Sequence, residues 1–214
     1  TGSNSNSRIT INDVVITGTK GQNLANASDD AGDTGGTGGI GLDLNATVDN
    51  GSNSATLTLI DNADIKGGAG GNADNAAATG GTGGVAIDAN EIDDLTIILS
   101  ATDTTADVVL IEGGAAGAAT NGTATGTIGT AGGDITVAAN AKITLQETIT
   151  VDAKATTVSS VDLGDIVGSN VTIDAATLTG AITIDSLQGN TTVTLGSGND
   201  TFAGAENGLD TVNS

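Results

Sequence analysis

The chain has 214 residues with no Cys, Pro, Met, Trp, Tyr or His, and its one aromatic residue is Phe202. Its formal net charge of −21 repels nucleic acid and anionic membrane surfaces, so we expect neither nucleic-acid binding nor membrane insertion. Without cysteine there is no disulfide framework. Without His, Cys or Tyr the usual general bases and nucleophiles reduce to carboxylates, Ser and Thr, so we expect no enzyme.

An internal repeat follows a short polar arm at residues 1–8. TGGTGG before residues 40–45 (IGLDLN) returns before residues 85–90 (VAIDAN), and a looser copy, GTAGGD, precedes residues 135–140 (ITVAAN). Apolar residues alternate in each copy, which predicts a strand with one buried face. A further apolar run precedes each glycine-rich stretch, at residues 14–16, 57–60 and 108–111. The repeating unit is therefore strand, long loop, strand.

The glycine-rich loops cover residues 18–39, 67–84 and 113–133, unusually long for a compact domain. One interpretation is a flexible low-complexity linker. The recurrence of TGGTGG directly before a strand favours order instead, because bare glycine backbone can pack against a neighbouring glycine segment, as in polyglycine and collagen-like assemblies. Repeats of this length cannot bury their own apolar face and must stack on their neighbours.

From residue 143 the rhythm tightens. The tetrapeptides VTID (171–174), ITID (182–185) and VTLG (193–196) recur every eleven residues, and two such units would make one coil of a flattened solenoid. The abundance of β-branched residues, Thr, Asn and Gly predicts no helix beyond a turn or two. We expect an all-β fold, a parallel β-helix (β-solenoid) with long Gly-rich loops projecting from one side. It would be continuous over the repeats with loops (9–142), the tighter repeats (143–190) and a final segment (191–214).

The final segment carries a pattern of glycine and aspartate. Residues 196–202 read GSGNDTF, and GLDTV follows ten residues later at 208–212. Glycine leaves carbonyl oxygens accessible and aspartate supplies a hard anionic oxygen, the ligand type that Ca²⁺ selects. The alternative is a pair of Gly-Asp turns in a β protein. The candidate Ca²⁺ ligands here are Gly196, Gly198, Asn199, Asp200, Gly208 and Asp210.

This pattern resembles the GGxGxDxUx nonapeptide of type-I-secreted RTX calcium-binding proteins. Residues 171–214 also resemble the strand-rich segments that lead into calcium repeats in Gram-negative S-layer and surface proteins. The resemblance implies an extracellular or cell-surface location, secretion, and folding with Ca²⁺.

Carboxylates also cluster elsewhere. Asp29, Asp30 and Asp33 lie in the first glycine-rich loop, and Asp61 and Asp64 open the second. With Asn and Gly carbonyls between them, such clusters suit Ca²⁺ better than transition metals. Each cluster could equally be a solvated turn, but together they predict at least one ion outside the final segment.

Three functions remain open. The leading one is a structural protein of an S-layer, matrix fibre or adhesin stalk that binds copies of itself through Ca²⁺, with a cell-surface polysaccharide as a second candidate partner. Ice binding is an alternative, since Thr56-Leu-Thr58 and Thr148-Ile-Thr150 have Thr-x-Thr spacing. The third is an adhesive module of a large secreted adhesin.

Overall fold

A computed structural model of the chain describes residues 6–24, 33–45, 53–74, 77–101, 108–121, 124–125, 128–129, 132–149, 160–188, 190–202, 205–206 and 211–213. These residues form strands, turns and extended segments and contain no helix, and hence none that could cross a membrane.

Three parallel sheets make up the body of the molecule, and consecutive strands of one sheet lie in successive coils. Sheet 1 has the order β1 (Asn6–Asn12), β4 (Ser54–Ile60), β7 (Asp94–Ala101), β12 (Lys142–Ile149), β15 (Thr172–Asp174), β18 (Thr192–Thr194) and β21 (Thr211–Asn213). Sheet 2 has the order β2 (Val15–Thr17), β5 (Asp64–Lys66), β8 (Val108–Glu112), β13 (Ser160–Asp162), β16 (Ile182–Ile184) and β19 (Thr201–Phe202). Sheet 3 has the order β3 (Leu42–Asp43), β6 (Ile87–Ala89), β11 (Ile135–Val137), β14 (Asp165–Val167), β17 (Ser186–Gln188) and β20 (Ala205–Glu206).

Each of the first six coils contributes one strand to each sheet, and the seventh contributes β21 to sheet 1 within the described residues. The strand order within every sheet follows the chain. The predicted parallel β-helix is therefore confirmed. A separate antiparallel pair, β9 (Thr120–Asn121) and β10 (Ala124–Thr125), lies in the third glycine-rich loop. The equivalent positions at which successive coils enter sheet 1 are Asn6, Ser54, Asp94, Lys142, Thr172, Thr192 and Thr211.

Alternating side chains build the core. In β4 every second residue is buried, and its Leu57 stacks on Ile97 of the next coil, which in turn stacks on Leu145. All three are at most 1 % exposed. Similar columns from all three sheets form one cluster of Ile, Leu, Val and Ala that runs through the coils. A narrow core of this kind needs no aromatic volume, which explains how the composition permits folding.

Asp and Asn residues form corners of the coils. Asp13 and Asp61 follow β1 and β4 with φ of 48° and 54°, and Asn140 and Asn170 precede β12 and β15 with φ of 63° and 56°. This left-handed region is disfavoured for most side chains, and Asn and Asp tolerate it best. The Asn170 side-chain amide donates a 3.1 Å hydrogen bond to Asn140 Oδ1, so two successive corners are tied together.

The register differs from the sequence repeats in two places. Leu42 pairs with Ile87 as the TGGTGG alignment predicts, but Ile135 also pairs with Ile87, whereas the sequence alignment placed it opposite Val85. In the tighter region one coil runs from Thr172 to Thr192 and contains three strands, not two, because β17 follows β16 after a single residue.

Candidate functional site

The glycine-rich loops all leave the solenoid between sheet 2 and sheet 3, so they project from one side as predicted. Their outgoing segments, residues 18–24, 67–73 and 113–119, stack as one layer, and their returning segments, residues 33–41, 79–85 and 128–133, stack as a second. We call the two layers together the glycine bundle. Of the last returning segment the structure describes residues 128–129 and 132–133.

Hydrogen bonds within a layer recur at every third residue. In the outgoing layer the amide of Gly18 donates to Lys66 O (2.9 Å), and that of Gly21 donates to Ala69 O (2.8 Å). The next segment repeats this arrangement, with Gly67 donating to Glu112 O and Gly70 to Ala115 O, both at 2.8 Å. A threefold repeat of lateral bonds is the geometry of polyproline II-type helices with three residues per turn. The segments of the bundle therefore pack side by side with the threefold period of such helices.

A second set of bonds joins the two layers. Gly36 N donates to Gln22 O in the first outgoing segment at 2.9 Å, and Gly71 N donates to Gly36 O at 2.7 Å. The same connection continues from segment to segment and reaches the last one. Its further members are Gly81 N to Gly71 O (2.8 Å), Gly117 N to Gly81 O (2.8 Å) and Gly129 N to Gly117 O (2.9 Å).

Glycine is required here because the backbones approach so closely. A Cβ at Gly68 would lie 2.0 Å from Thr19 O, and one at Gly84 would lie 2.0 Å from Gly39 O. Among the described glycines only Gly164 has a positive φ, of 57°, so backbone freedom is not the reason in the bundle. The close packing of the described loop segments therefore depends on the absence of side chains at these glycines.

The third position of each turn carries the side chains of the bundle surface. On the returning layer Thr34 and Thr37 lie beside Thr79 and Thr82 of the next segment, with Thr34 bridging to Thr79. Three of these four are exposed and Thr79 is half-buried. The layer therefore presents paired threonines on a regular, nearly side-chain-free backbone.

The predicted Ca²⁺ ligands in the final segment hold one coil against the next. Asp200 Oδ1 accepts a 3.0 Å hydrogen bond from Ile182 N in the preceding coil. A Cβ at Gly196 would lie 2.0 Å from Leu178 O, and one at Gly198 would lie 2.3 Å from Gly180 O, so both glycines permit close stacking. Asn199 is exposed. Gly208 and Asp210 lie outside the described residues.

The other predicted carboxylates are distributed over different places in the fold. Asp33 in the returning layer accepts Thr79 N at its carbonyl (2.9 Å), and Asp61 forms a corner. Asp64 Oδ1 accepts Leu110 N at 3.0 Å, and its Oδ2 lies 3.9 Å from Lys66 Nζ. Asp29 and Asp30 lie outside the described residues. Within the described ranges, no three acidic side chains come close enough together to hold a metal ion.

A carboxylate that the sequence analysis missed occupies the place where the third glycine-rich loop meets the solenoid. Asp134 accepts hydrogen bonds from Gly113 N at one oxygen and from Asp165 N at the other. It thereby joins both ends of the loop to the following coil. The sequence signal that could identify Asp134 is its register, because it occupies the position that Gly41 and Ala86 hold in the two preceding coils. This register is apparent only once the pairing of Ile135 with Ile87 is known.

An open acidic cleft surrounds Asp134. Its volume is about 180 Å³, and Glu112, Asp162 and Asp185 supply further carboxylates to its lining. Burial raises the pKa of Asp134 above its usual value of 3.8. The two backbone amides oppose this shift, and the negative charges of Asp165 and Asp162 add to it. Four carboxylates thus line this cleft.

Comparison with protein-family models, with curated protein sequences and with solved structures finds no match for this chain.

Proposed function

We propose that this chain is a structural extracellular protein that assembles with Ca²⁺ into a surface layer, a matrix fibre or a filament. The observation that carries the proposal is the edge that each sheet has at both ends of the described coils. In the described part of the chain, β1, β2 and β3 are the first strands of their sheets, and β21, β19 and β20 are the last. Edge strands of this kind are templates for pairing with a further strand unless something covers them.

The charge of the chain supports a requirement for cations. Each copy carries a net charge of −21, and the repulsion between copies opposes assembly until counter-ions bind to or screen the charge. Ca²⁺ suits the oxygen donors that this composition offers, and the GSGNDTF turn at residues 196–202 supplies the resemblance to calcium-binding repeats. The turn lies in the last coils, next to one of the two edges.

Electron microscopy and sedimentation of the purified chain test the proposal. We expect filaments or sheets in millimolar Ca²⁺, dispersal on addition of a chelator, and weaker assembly in equal Mg²⁺, whose octahedral preference and slow dehydration suit such turns less well. Monodisperse particles in every condition would contradict the proposal. Assembly that is equal in Ca²⁺, Mg²⁺ and chelator would contradict the calcium requirement alone.

Ice binding is a second candidate, favoured by the alignment of threonines. Thr56, Thr96 and Thr144 occupy one row on the outer face of sheet 1, in three successive coils. The paired threonines of the returning layer form a second array. The Lys142–Asp174 ion pair, at 3.6 Å, interrupts the sheet face and argues against a continuous plane. Thermal hysteresis that is present in the native chain and lost in Thr96→Val would favour ice binding over assembly.

A further inference from the structure

We infer that copies of the chain stack head to tail, with the last coils of one copy on the first coil of the next, and that the glycine bundle takes no part in the contact. This inference rests on the proposed assembly and specifies its geometry. The evidence lies in the different ways in which the sheets and the bundle end.

The outgoing layer is closed at its first segment by two side chains. Thr19 and Gln22 are in register with Gly68 and Gly71 of the second segment, because Thr17 pairs with Lys66 and Leu24 bridges to Ala73. A Cβ at Gly68 or Gly71 would lie 2.0 Å from a carbonyl oxygen of the preceding segment. Thr19 and Gln22 carry that Cβ and are exposed. A further glycine segment therefore cannot stack on this end of the bundle.

The sheets at the same end have no such barrier. No described strand pairs with the outer edges of β1, β2 or β3. Three of the four large apolar side chains that are exposed among the described residues also lie in this first coil: Val14 (53 %), Val15 (54 %) and Ile40 (41 %). The first coil thus accepts a neighbour with three strands and no glycine-rich loop.

The last coils of the same chain have that shape. From Thr172 onward each coil passes from sheet 1 through sheet 2 to sheet 3 without an intervening glycine-rich loop. These coils belong to the same three sheets as the first coil, so their strands share its cross-section. A second copy can therefore add its β1 to β21 and continue sheet 1 without meeting Thr19 or Gln22; in the described residues sheets 2 and 3 end one coil before β21.

Charge selects the same orientation. Residues 6–17, which hold β1 and β2 of the first coil, carry Arg8 and Asp13 and therefore have no net charge. After residue 160 the chain has no Lys or Arg and seven carboxylates, namely Asp162, Asp165, Asp174, Asp185, Asp200, Glu206 and Asp210. A head-to-tail contact brings these opposite ends together, whereas two last coils facing each other would repel. Because head-to-tail contacts related by a screw do not close, the product is a filament.

Thiol cross-linking tests this geometry, since the native chain has no cysteine. Thr10→Cys and Asn213→Cys place one thiol on an edge strand at each end, and the two variants are mixed in Ca²⁺ and treated with a short bismaleimide. Head-to-tail stacking predicts a cross-linked dimer in the mixture and none from either variant alone. Thr96→Cys mixed with Asn213→Cys is the control, because Thr96 lies in the interior of sheet 1 and should give no dimer.

The outcomes separate the inference from the proposed function. Dimers from one variant alone, or polymer that sediments without cross-linking between residues 10 and 213, would overturn the stacking geometry while leaving assembly intact. If no polymer formed at all, both the stacking geometry and the proposed assembly would be contradicted. As a second measurement, Arg8→Glu should raise the critical concentration for assembly roughly tenfold, and Lys142→Glu, the same change of charge in the middle of sheet 1, should change it far less. Equal effects would overturn the charge argument.

Discussion

Replacing Gly84 by Ala tests whether the glycine bundle depends on bare backbone. The new Cβ would lie 2.0 Å from Gly39 O and 2.8 Å from Gly38 O, whereas ordinary contacts begin near 3.4 Å. Segments 33–41 and 79–85 must therefore move apart by more than 1 Å. The hydrogen bonds that bracket this site, from Gly38 N to Thr82 O (2.8 Å) and from Gly41 N to Val85 O (3.0 Å), would lengthen beyond bonding distance.

The expected cost follows from these two losses. Two hydrogen bonds at about 0.5 to 1.5 kcal/mol each, together with about 1 to 3 kcal/mol for overpacking, give roughly 2 to 6 kcal/mol. Gly133→Ala is the matched control, because its Cβ would meet side-chain atoms and no backbone, namely Val167 Cγ2 at 3.1 Å and Thr136 Oγ1 at 3.8 Å. Its effect should stay within about 1 kcal/mol, since alanine also lowers the entropy of the unfolded chain.

Urea unfolding followed by circular dichroism measures the global effect, and hydrogen exchange of residues 79–85 measures local opening of the bundle. We expect faster exchange in Gly84→Ala than in the native chain or in Gly133→Ala. Identical exchange and an identical urea midpoint in the two variants would refute the argument that close backbone approach, and not glycine content as such, orders the bundle.

Three further predictions concern the core, the cleft and the calcium turn. Ile97→Ala removes a fully buried side chain from the central column and should lower the free energy of unfolding by about 2 to 5 kcal/mol in urea titrations; a change under about 1 kcal/mol would contradict a close-packed core. Because burial raises the pKa of Asp134, its contribution to stability is full below pH 3.8 and is lost as pH rises through the raised value. The stability of the native chain should therefore rise on acidification more steeply than that of Asp134→Asn, and parallel pH curves would contradict this. Asp200→Ala should weaken Ca²⁺ binding in calorimetric titration far more than Asp74→Ala at an exposed bundle residue, and unchanged affinity and stoichiometry would remove Asp200 from the candidate ligands.

Period-two alternation predicts which face of a strand is buried but not its register. The alternation at residues 135–137 correctly predicts that Ile135 and Val137 are buried. A shift of two residues leaves the same side chains on the same face, so the alignment opposite Val85 satisfied the pattern as well as the observed pairing with Ile87 does. Only contacts between coils distinguish the two, and these are not encoded within one strand. The eleven-residue repeats predict the wrong pairing partner for the same reason, because Val193 pairs with Ile173 and not with Val171.

The glycine-rich loops were predictable in part. The recurrence of TGGTGG indicates order, and two glycines in every three residues already match a threefold helix whose two inner positions lack side chains. Which segments pack together depends on where the solenoid places the loop ends. Thr19 and Gln22 stand where the later outgoing segments have glycine. The sequence alone does not distinguish them from ordinary loop residues, because their register with Gly68 and Gly71 depends on how the loops pack.

Candidate ligands were predicted from spacing along the chain, whereas the partners of these side chains come from neighbouring coils. Asp200 bonds to Ile182 N and Asp64 to Leu110 N, and neither partner is close in sequence. Asp134 illustrates the same limit, because no local sequence motif surrounds it and spacing along the chain therefore does not identify it. In a solenoid the environment of a carboxylate is set by residues one coil away. A local motif can therefore predict the type of ligand atom but not the groups that it contacts.

The bundle and the solenoid fit together because they share one set of hydrogen bonds. The ladder between β2 and β5 ends where Thr17 pairs with Lys66, and the next residue, Gly18, continues it by donating to Lys66 O. From there the same two segments remain bonded at every third residue, so the change from strand to glycine-rich segment leaves the coil spacing unaltered. Among the described residues of the glycine-rich loops, the buried apolar cluster is small and consists of Ala73, Ala78 and Ala119 with Leu24 packed against it. Burial in the solenoid core therefore stabilises the coils, and the sheets position the loop ends from which the bundle forms.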